Sequence, residues 1–439
     1  MEEHRGERTV ELKGRGLGRE RTEELYMARA GIRDRCRVDV SENEDSFVGI
    51  RCGTDEISVQ FPLGFRVSSD DKELRRDILL LLSAIGGTTA KRESKLPGLA
   101  GQYSVTAFPI QAYVAVAQDF FSRGYYRESE TVTGVGRRGK IHWGRTIKNR
   151  KAFEQDGNLF YLDFITRENT VSENQLITLI HEYCVYESLS KIGWLFTEKL
   201  PPRPRLQYHE RLFRGVLTDK LSHAFNDKNR QLFRDMLAIV EYQGNEEAPR
   251  RFRYGTYRFE YVWEALVDRV YGIDDKKDYF PGTEWRIGSS VHGNSRLEPD
   301  TIMIHQGGVY ILDAKYYKFG LTGKPKDLPG SSSVSKQITY GEYVAEKVVN
   351  EEWFRRKHGE GFQVYNAFLM PFQGADERQD GGVAVMKAGQ ALSWWKDNDR
   401  SYEKVQGILV DTKGLMKIAV RQDREEMASL AECIRREPE

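Results

Sequence analysis

Apolar and polar residues alternate along FVGIRCGTDEISVQF at 47–61, with the turn-forming Gly53-Thr54-Asp55 between the two runs, which predicts a β-hairpin that Pro62 and Gly64 then break. A helix is expected next. Ser69, Asp70 and Asp71 are candidate caps, Leu74, Ile78, Leu81 and Leu82 form an apolar stripe, and Gly86-Gly87 mark its end. A second helical period covers 110–121, and a basic, strand-like stretch runs from Tyr125 to Phe164.

From Ser172 the period returns to that of a helix. Ser172 and Gln175 match a capping box, and Leu176, Ile180, Tyr183 and Cys184 share a face that ends near Gly193. The Pro-rich LPPRPRL at 200–206 reads as a stiff linker before helices at 211–225 and 228–241, and 245–255 reads as a second linker. Beyond it helices and strands alternate to the C-terminus, including a strand at 406–411. The expected architecture is a multi-domain α+β chain: a mobile charged tail at 1–30, a mixed domain at 31–165, a helical region at 166–247, and a mixed sheet flanked by helices from 248 to 439.

Composition narrows the function. The chain has 439 residues, 30% of them charged, yet its net charge is +1, so any affinity for polyanions must come from local clustering of basic residues. The four cysteines are scattered without metal or disulfide spacing, the N-terminus lacks an apolar signal core, and apolar runs such as 78–82 are far short of a membrane span, so a reduced, cytoplasmic location off the membrane is expected. No repeat and no GxxxxGK[ST] phosphate loop occurs. Gly134-Val-Gly-Arg-Arg-Gly139 fits a dinucleotide-loop pattern, but no strand–helix–strand unit surrounds it.

The segment with chemistry is EPDTIMIHQGGVYILDAK at 298–315. A turn centred on Gly307-Gly308 pairs Asp300 with Lys315 and Ile302 with Asp313, and the two-residue period of a strand puts Asp300, Asp313 and Lys315 on one face. Diagonal neighbours lie roughly 7–8 Å apart, a gap that two inward-leaning carboxylates can bridge through one divalent cation. Mg2+ is the expected ion, with Mn2+ as an alternative, because the ligands are hard oxygens and phosphate oxygens complete its shell. Lys315 would orient or help deprotonate the attacking water, so the pattern implies phosphodiester hydrolysis. Such short carboxylate-lysine matches also arise as solvated strand ends.

Glu260 and Glu264 share one face of a helix over FEYVWE; Glu264 is the preferred further metal ligand, and a surface acid is the alternative. Gln337, expected to orient a water or phosphate, and Lys336, expected to touch the substrate backbone, open a helix behind GLTGKPKDLPGSSSVS, read as a disordered loop or mobile cover. Residues 137–151 hold seven Lys or Arg and no acid; Arg137, Arg138, Lys140, His142, Arg145 and Lys148 are candidates for binding DNA or an acidic partner, against the alternative of a solvated hairpin. Arg250 to Arg253 offers a weaker phosphate-tracking candidate.

These residues give the chain a resemblance. PLG within 57–67, GKIHWGRTI at 139–147, ENQLITLIHEYC at 173–184, FEYVWE at 259–264, the PD and DAK pair, SKQITY at 335–340 and NAFLMPF at 366–372 resemble the LlaJI family of restriction endonucleases, which is similar to McrC subunits of McrBC-type systems. The resemblance implies a C-terminal PD-(D/E)xK restriction-endonuclease-like fold, Asp300, Asp313 and Lys315 as the site, and DNA cleavage in phage defence. It also implies an McrB-like AAA+ GTPase partner that carries most of the sequence recognition and on which the N-terminal domain docks. One departure is that Gly341, not Tyr, lies four residues after Gln337, so the QxxxY pattern of RecB-type nucleases is missing. The competing reading is a catalytically idle adaptor that stimulates a GTPase; an RNase or repair nuclease of the same fold shares the chemistry.

Overall fold

A computed structural model describes residues 31–53, 56–93, 108–136, 139–171, 173–197, 199–244, 252–374, 382–421 and 426–437. The expected tail at 1–30, Arg137, Arg138, Ser172, Arg250 and Arg251 lie outside the described residues. No helix among the described residues is long and apolar enough to cross a membrane. The structure is a multi-domain α+β fold with a mixed sheet.

The described residues divide into two compact units, one of 109–248 and one that joins 31–108 to 249–439. This redraws the expected mixed domain at 31–165, and the reason is a strand pairing. In the larger unit β1 (Arg37–Val40), β2 (Val48–Cys52), β3 (Ile57–Phe61) and β4 (Phe252–Thr256) form a sheet in the order β1-β3-β2-β4. β4, expected to be linker, pairs antiparallel with β2, Val48 opposite Thr256 and Cys52 opposite Phe252. The hairpin predicted at 47–61 is β2 and β3.

Helix α1 (Asp71–Glu93) is capped by Asp70, whose Oδ1 accepts from the N–H groups of Lys72 at 2.9 Å and Glu73 at 3.0 Å. It runs through Gly86-Gly87 instead of ending there. A buried ion pair, Lys413 Nζ to Asp77 Oδ1 at 2.7 Å, ties α1 to α4 (Thr412–Arg421). The PLG segment is stitched on beside it: Thr412 Oγ1 donates to Leu63 O at 2.8 Å, and the Leu63 N–H donates to Tyr316 Oη at 2.7 Å.

The second sheet carries the candidate chemistry. Strands β7 (Thr301–His305), β8 (Gly308–Ala314), β9 (Gln363–Phe372), β10 (Val385–Ala391) and β11 (Val405–Asp411) lie in the order β7-β8-β9-β11-β10. The two outer pairings are antiparallel and the two inner ones parallel. The inner strands read as nearly unbroken apolar runs because both faces are covered. Helix α2 (Phe259–Tyr271) packs at β7 and β8 and reaches β9, where Trp263 Nε1 donates to Leu369 O at 3.0 Å, and α3 (Ser331–Glu346) packs on β8 and β9. Preceding β7 is a separate ribbon of β5 (Glu284–Ile287) and β6 (Ser290–Gly293).

In the smaller unit, helices Ile110–Arg123, Leu176–Ile192, Glu210–His223 and Asp227–Gln243 pack together. Strands Ser129–Gly136, Phe164–Val171 and Lys140–Ile141 form a small sheet, and Ala152–Gln155 pairs with Asn158–Tyr161 as an exposed hairpin. Gln175 occupies the N-cap position of the helix at 176 without a side-chain cap; its Oε1 accepts from the Glu128 N–H at 3.1 Å instead. Within the basic stretch read as strand, Trp143–Asn149 is helical because His142 caps it, Nδ1 accepting from the Arg145 N–H at 3.4 Å.

His181 lies fully buried among these helices, its Nδ1 accepting from the Tyr126 N–H at 2.8 Å. Burial, helped by the Arg123 charge, lowers its pKa to about 3. The unfolded chain therefore takes up a proton near pH 6.5 that the folded unit refuses. Stability is full above about 6.5 and falls as the pH drops towards 3, by on the order of 1 kcal/mol per pH unit. Urea unfolding followed from pH 7 to pH 4 is expected to show this loss, and His181→Asn, which keeps an acceptor but cannot titrate, is expected to flatten it. An unchanged slope in that variant would assign the acid sensitivity elsewhere.

Candidate active site

Backbone conformation fixes the hairpin. Gln306 and Gly307 have positive φ angles of 43° and 71°, the signature of a two-residue primed turn that twists in the same sense as its strands. The turn is centred one residue earlier than Gly307-Gly308, so His305 pairs with Gly308 and Thr301 with Leu312. Continued by one step, this register sets Asp300 opposite Asp313, not opposite Lys315. Because side chains alternate with period two, the two-residue change in pairing keeps Asp300, Asp313 and Lys315 on the same face.

That face is apolar in mid-strand and acidic at its end. Ile302, Val309 and Ile311 pack into one core with Tyr340 and Val344 of α3. Where α3 begins, the strand ends, and Asp313 is left at the floor of a cleft, 8% exposed. The Ala314 N–H donates to Asp300 Oδ2 at 2.9 Å, Lys315 Nζ approaches Asp313 Oδ2 to 2.9 Å, and the Lys315 N–H donates to Leu369 O at 2.9 Å. Lys276 Nζ donates to the Asp300 carbonyl and pairs with Asp268 at 2.7 Å, which holds the strand entrance.

Glu264, Glu298, Asp300, Asp313, Ala314, Lys315, Lys336 and Tyr340 line the cleft, whose volume is about 220 Å³. The preference for Glu264 over Glu260 has a geometric reason, since Glu260 is paired with Arg258 away from the cleft. Burial raises the Asp300 carboxyl well above the usual carboxylate range; the charge and hydrogen bond of Asp313 and the charge of Glu264 push the same way, and the Ala314 N–H opposes them. Two adjoining carboxylates in a confined space favour either a shared proton or a cation between them. Among the described residues no group of three or more His, Cys, Asp and Glu is arranged around a common metal position. The donor set that fits a hard divalent ion is thus the Asp300–Asp313 pair, with Glu264 beside it.

Gln337 is not in the cleft. It is fully buried, and its Nε2 donates to Ile311 O at 2.7 Å and Asn366 Oδ1 at 3.4 Å, while Asn366 Nδ2 donates to Tyr402 O at 2.6 Å. Gln337 therefore clamps α3 to β8 instead of orienting a water or phosphate. Gly341 explains the missing Tyr of QxxxY: a Cβ there would collide with Asn366 Nδ2, so only glycine lets the helix come this close. The segment read as loop or cover is ordered as helical turns at Phe319–Thr322 and Pro325–Asp327 followed by the start of α3 at Ser331.

Lys336 does reach the cleft, where it lies over the Tyr340 ring at 5.5 Å from the centroid. The Tyr340 hydrogen bond, its largest perturbation, raises the Lys336 pKa and keeps it cationic. Sequence reasoning misses Tyr340 and Glu298, although Tyr340 stands one turn after Lys336 and Glu298 two residues before Asp300. Lys140, His142, Arg145 and Lys148 belong to the smaller unit, the three basic side chains exposed and His142 partly so.

A search of curated proteins finds no match. Among solved structures, a chain of the refined half-complex from a tetradecameric assembly of Thermococcus gammatolerans McrB AAA+ hexamers with bound McrC is similar at 14% identity, with a TM-score of 0.33 over 86% of this chain and 81% of that one. The family model described as LlaJI restriction endonuclease matches residues 47–385, spanning the hairpin and the cleft. On that match the chain belongs to the LlaJI restriction endonuclease family.

Proposed function

We propose that the chain is the Mg2+-dependent DNA endonuclease subunit of a restriction system, cutting phosphodiester bonds with a PD-(D/E)xK site. The observation that carries this reading is the opposition of Asp300 and Asp313 on one strand face with Lys315 Nζ 2.9 Å from Asp313 Oδ2. Family membership supports DNA as the polymer.

Asp300 and Asp313 would hold the divalent ion, and Glu264 adjoins them. Bound there, Mg2+ or Mn2+ supplies a Lewis acid for the scissile phosphate and lowers the pKa of a water ligand. Lys315 lies at the same carboxylate and places a positive charge where the phosphorane charge develops. Lys336, across the cleft, offers a second cation for a flanking phosphate. The clamp from Gln337 to Ile311 O holds α3, and with it Lys336, at a fixed distance from β8.

The resemblance to McrC subunits supports an AAA+ GTPase as partner, and the exposed Lys140, Arg145 and Lys148 support docking on its acidic surface or on DNA. Supercoiled plasmid incubated with the full chain and Mg2+, with and without the partner and GTP, tests the reading. Nicked or linear product that disappears in Asp300→Ala is expected. No product from the wild type under every partner condition, together with stimulation of GTP turnover, would establish the idle adaptor instead.

A further inference from the structure

The ribbon of β5 and β6 stands apart from the sheets, and all eight of its residues are exposed. Trp285 is 64% exposed, Ile287 65% and Val291 60%. A two-stranded ribbon with both faces in water is marginal on its own, so such apolar exposure marks a surface that is covered during function. Its register pairs Trp285 with His292 and Ile287 with Ser290, which puts Trp285, Ile287 and His292 on one face. Arg286 and Val291 share the other face.

Its place in the chain says what covers it. The Asn294 N–H donates to Thr283 O at 2.8 Å and the Leu297 N–H to Pro281 O at 2.8 Å, closing the base of the ribbon. The next residue is Glu298, which lines the cleft, and Asp300 follows two positions later. The ribbon is therefore rooted at the rim of the cleft, and a duplex with a phosphate at Asp313 would continue past it. Arg296 at its base, where Nη1 donates to Lys277 O at 3.1 Å, adds positive charge along that path, while Arg286 on the opposite face is paired with Glu284 at 2.7 Å. A two-stranded ribbon also has the width that a DNA groove admits.

We infer that this ribbon is a DNA-contacting arm, laying the Trp285 and Ile287 face into the groove of duplex DNA beside the scissile phosphate. The inference rests on the DNA-endonuclease reading. Side chains of this kind act as wedges against base steps or as stacking platforms, while a nearby arginine neutralises phosphate.

The test is duplex binding by the full chain in Ca2+, followed by fluorescence anisotropy, and plasmid cleavage in Mg2+. Combined Trp285→Ala and Ile287→Ala should weaken Kd about tenfold or more, with an unchanged melting temperature because both positions are exposed. Trp285→Phe with Ile287 intact should restore most of the affinity. Asp300→Ala, which leaves the ribbon untouched, should fail to cut. If the wild type cuts DNA and the double variant binds and cuts equally well, the ribbon inference falls and the endonuclease reading stands. If the wild type neither binds nor cuts DNA, both fall. If the double variant keeps its DNA affinity but loses self-association or partner capture, the ribbon is a protein-docking arm and the inference is overturned.

Discussion

Asp313→Ala is expected to lower DNA cleavage by at least about a thousandfold while the protein still folds. Both halves of that outcome follow from the position of the carboxylate. It lies at the end of β8, where the strand face changes from the apolar Val309 and Ile311 to the acidic cleft, so its removal leaves the core cluster with Tyr340 and Val344 intact. Two electrostatic terms oppose one another in the fold itself: the variant loses the pair with Lys315 but relieves the crowding of Asp313 against the buried Asp300. In cleavage nothing offsets the loss, because one of the two carboxylates that would face a divalent ion is gone. Rates from quenched plasmid time courses, with circular dichroism as the folding control, measure it. A folded variant with wild-type Mg2+-dependent cleavage would remove Asp313 from the site.

The convergence of this site is legible in the sequence for a reason that also shows why its register is not. Strand parity survives any even change of pairing, so Asp300, Asp313 and Lys315 converge whether the turn centres on Gly307-Gly308 or, as found, on Gln306-Gly307. The opposition of Asp300 to Asp313 depends on a positive φ at Gln306, which no hydrophobic pattern encodes. Gln337 is a different case, because its amide invites a role in the chemistry while its spacing points to the core. It shares a helical stripe with Gly341 and Val344, all three buried, and that spacing alone is enough to assign it to the core face.

The long-range organisation is hidden for a different reason. β4 reads FRYGT, with two bulky aromatics, a charge and a glycine, and nothing local distinguishes it from the charged linker before it. Its partner β2 lies some two hundred residues earlier, so the pairing that joins 31–108 to the C-terminal half leaves no trace in a periodicity window. The helix at 143 is obscured by its shortness and by strand-forming Trp143, Thr146 and Ile147. α1 continues through Gly86-Gly87 because its buried stripe at Leu74, Ile78, Leu81 and Ile85 outweighs a cost of about 1 kcal/mol for each glycine.

Lys315→Met is expected to lower kcat by about a hundred- to a thousandfold, with KM and duplex affinity nearly unchanged. In the structure the ammonium meets Asp313 Oδ2 at 2.9 Å and the face of Phe368 at 5.7 Å from the ring centroid. A group that served only to neutralise Asp313 would be superseded once a divalent ion took that carboxylate, and its loss would then cost little in the presence of excess Mg2+. A group that meets the charge developing on phosphorus contributes in the transition state alone, and its loss appears in kcat at any Mg2+ concentration. Met keeps the length and the contact with Phe368, so packing is conserved and only the charge is removed. Lys336→Met is the paired measurement: its ammonium sits across the cleft on Tyr340, where a flanking phosphate would bind before and during the reaction, so its loss is expected in KM more than in kcat. A Lys315→Met enzyme restored to wild-type kcat by raised Mg2+ would identify Lys315 as the counterion of Asp313 and take it out of the chemical step.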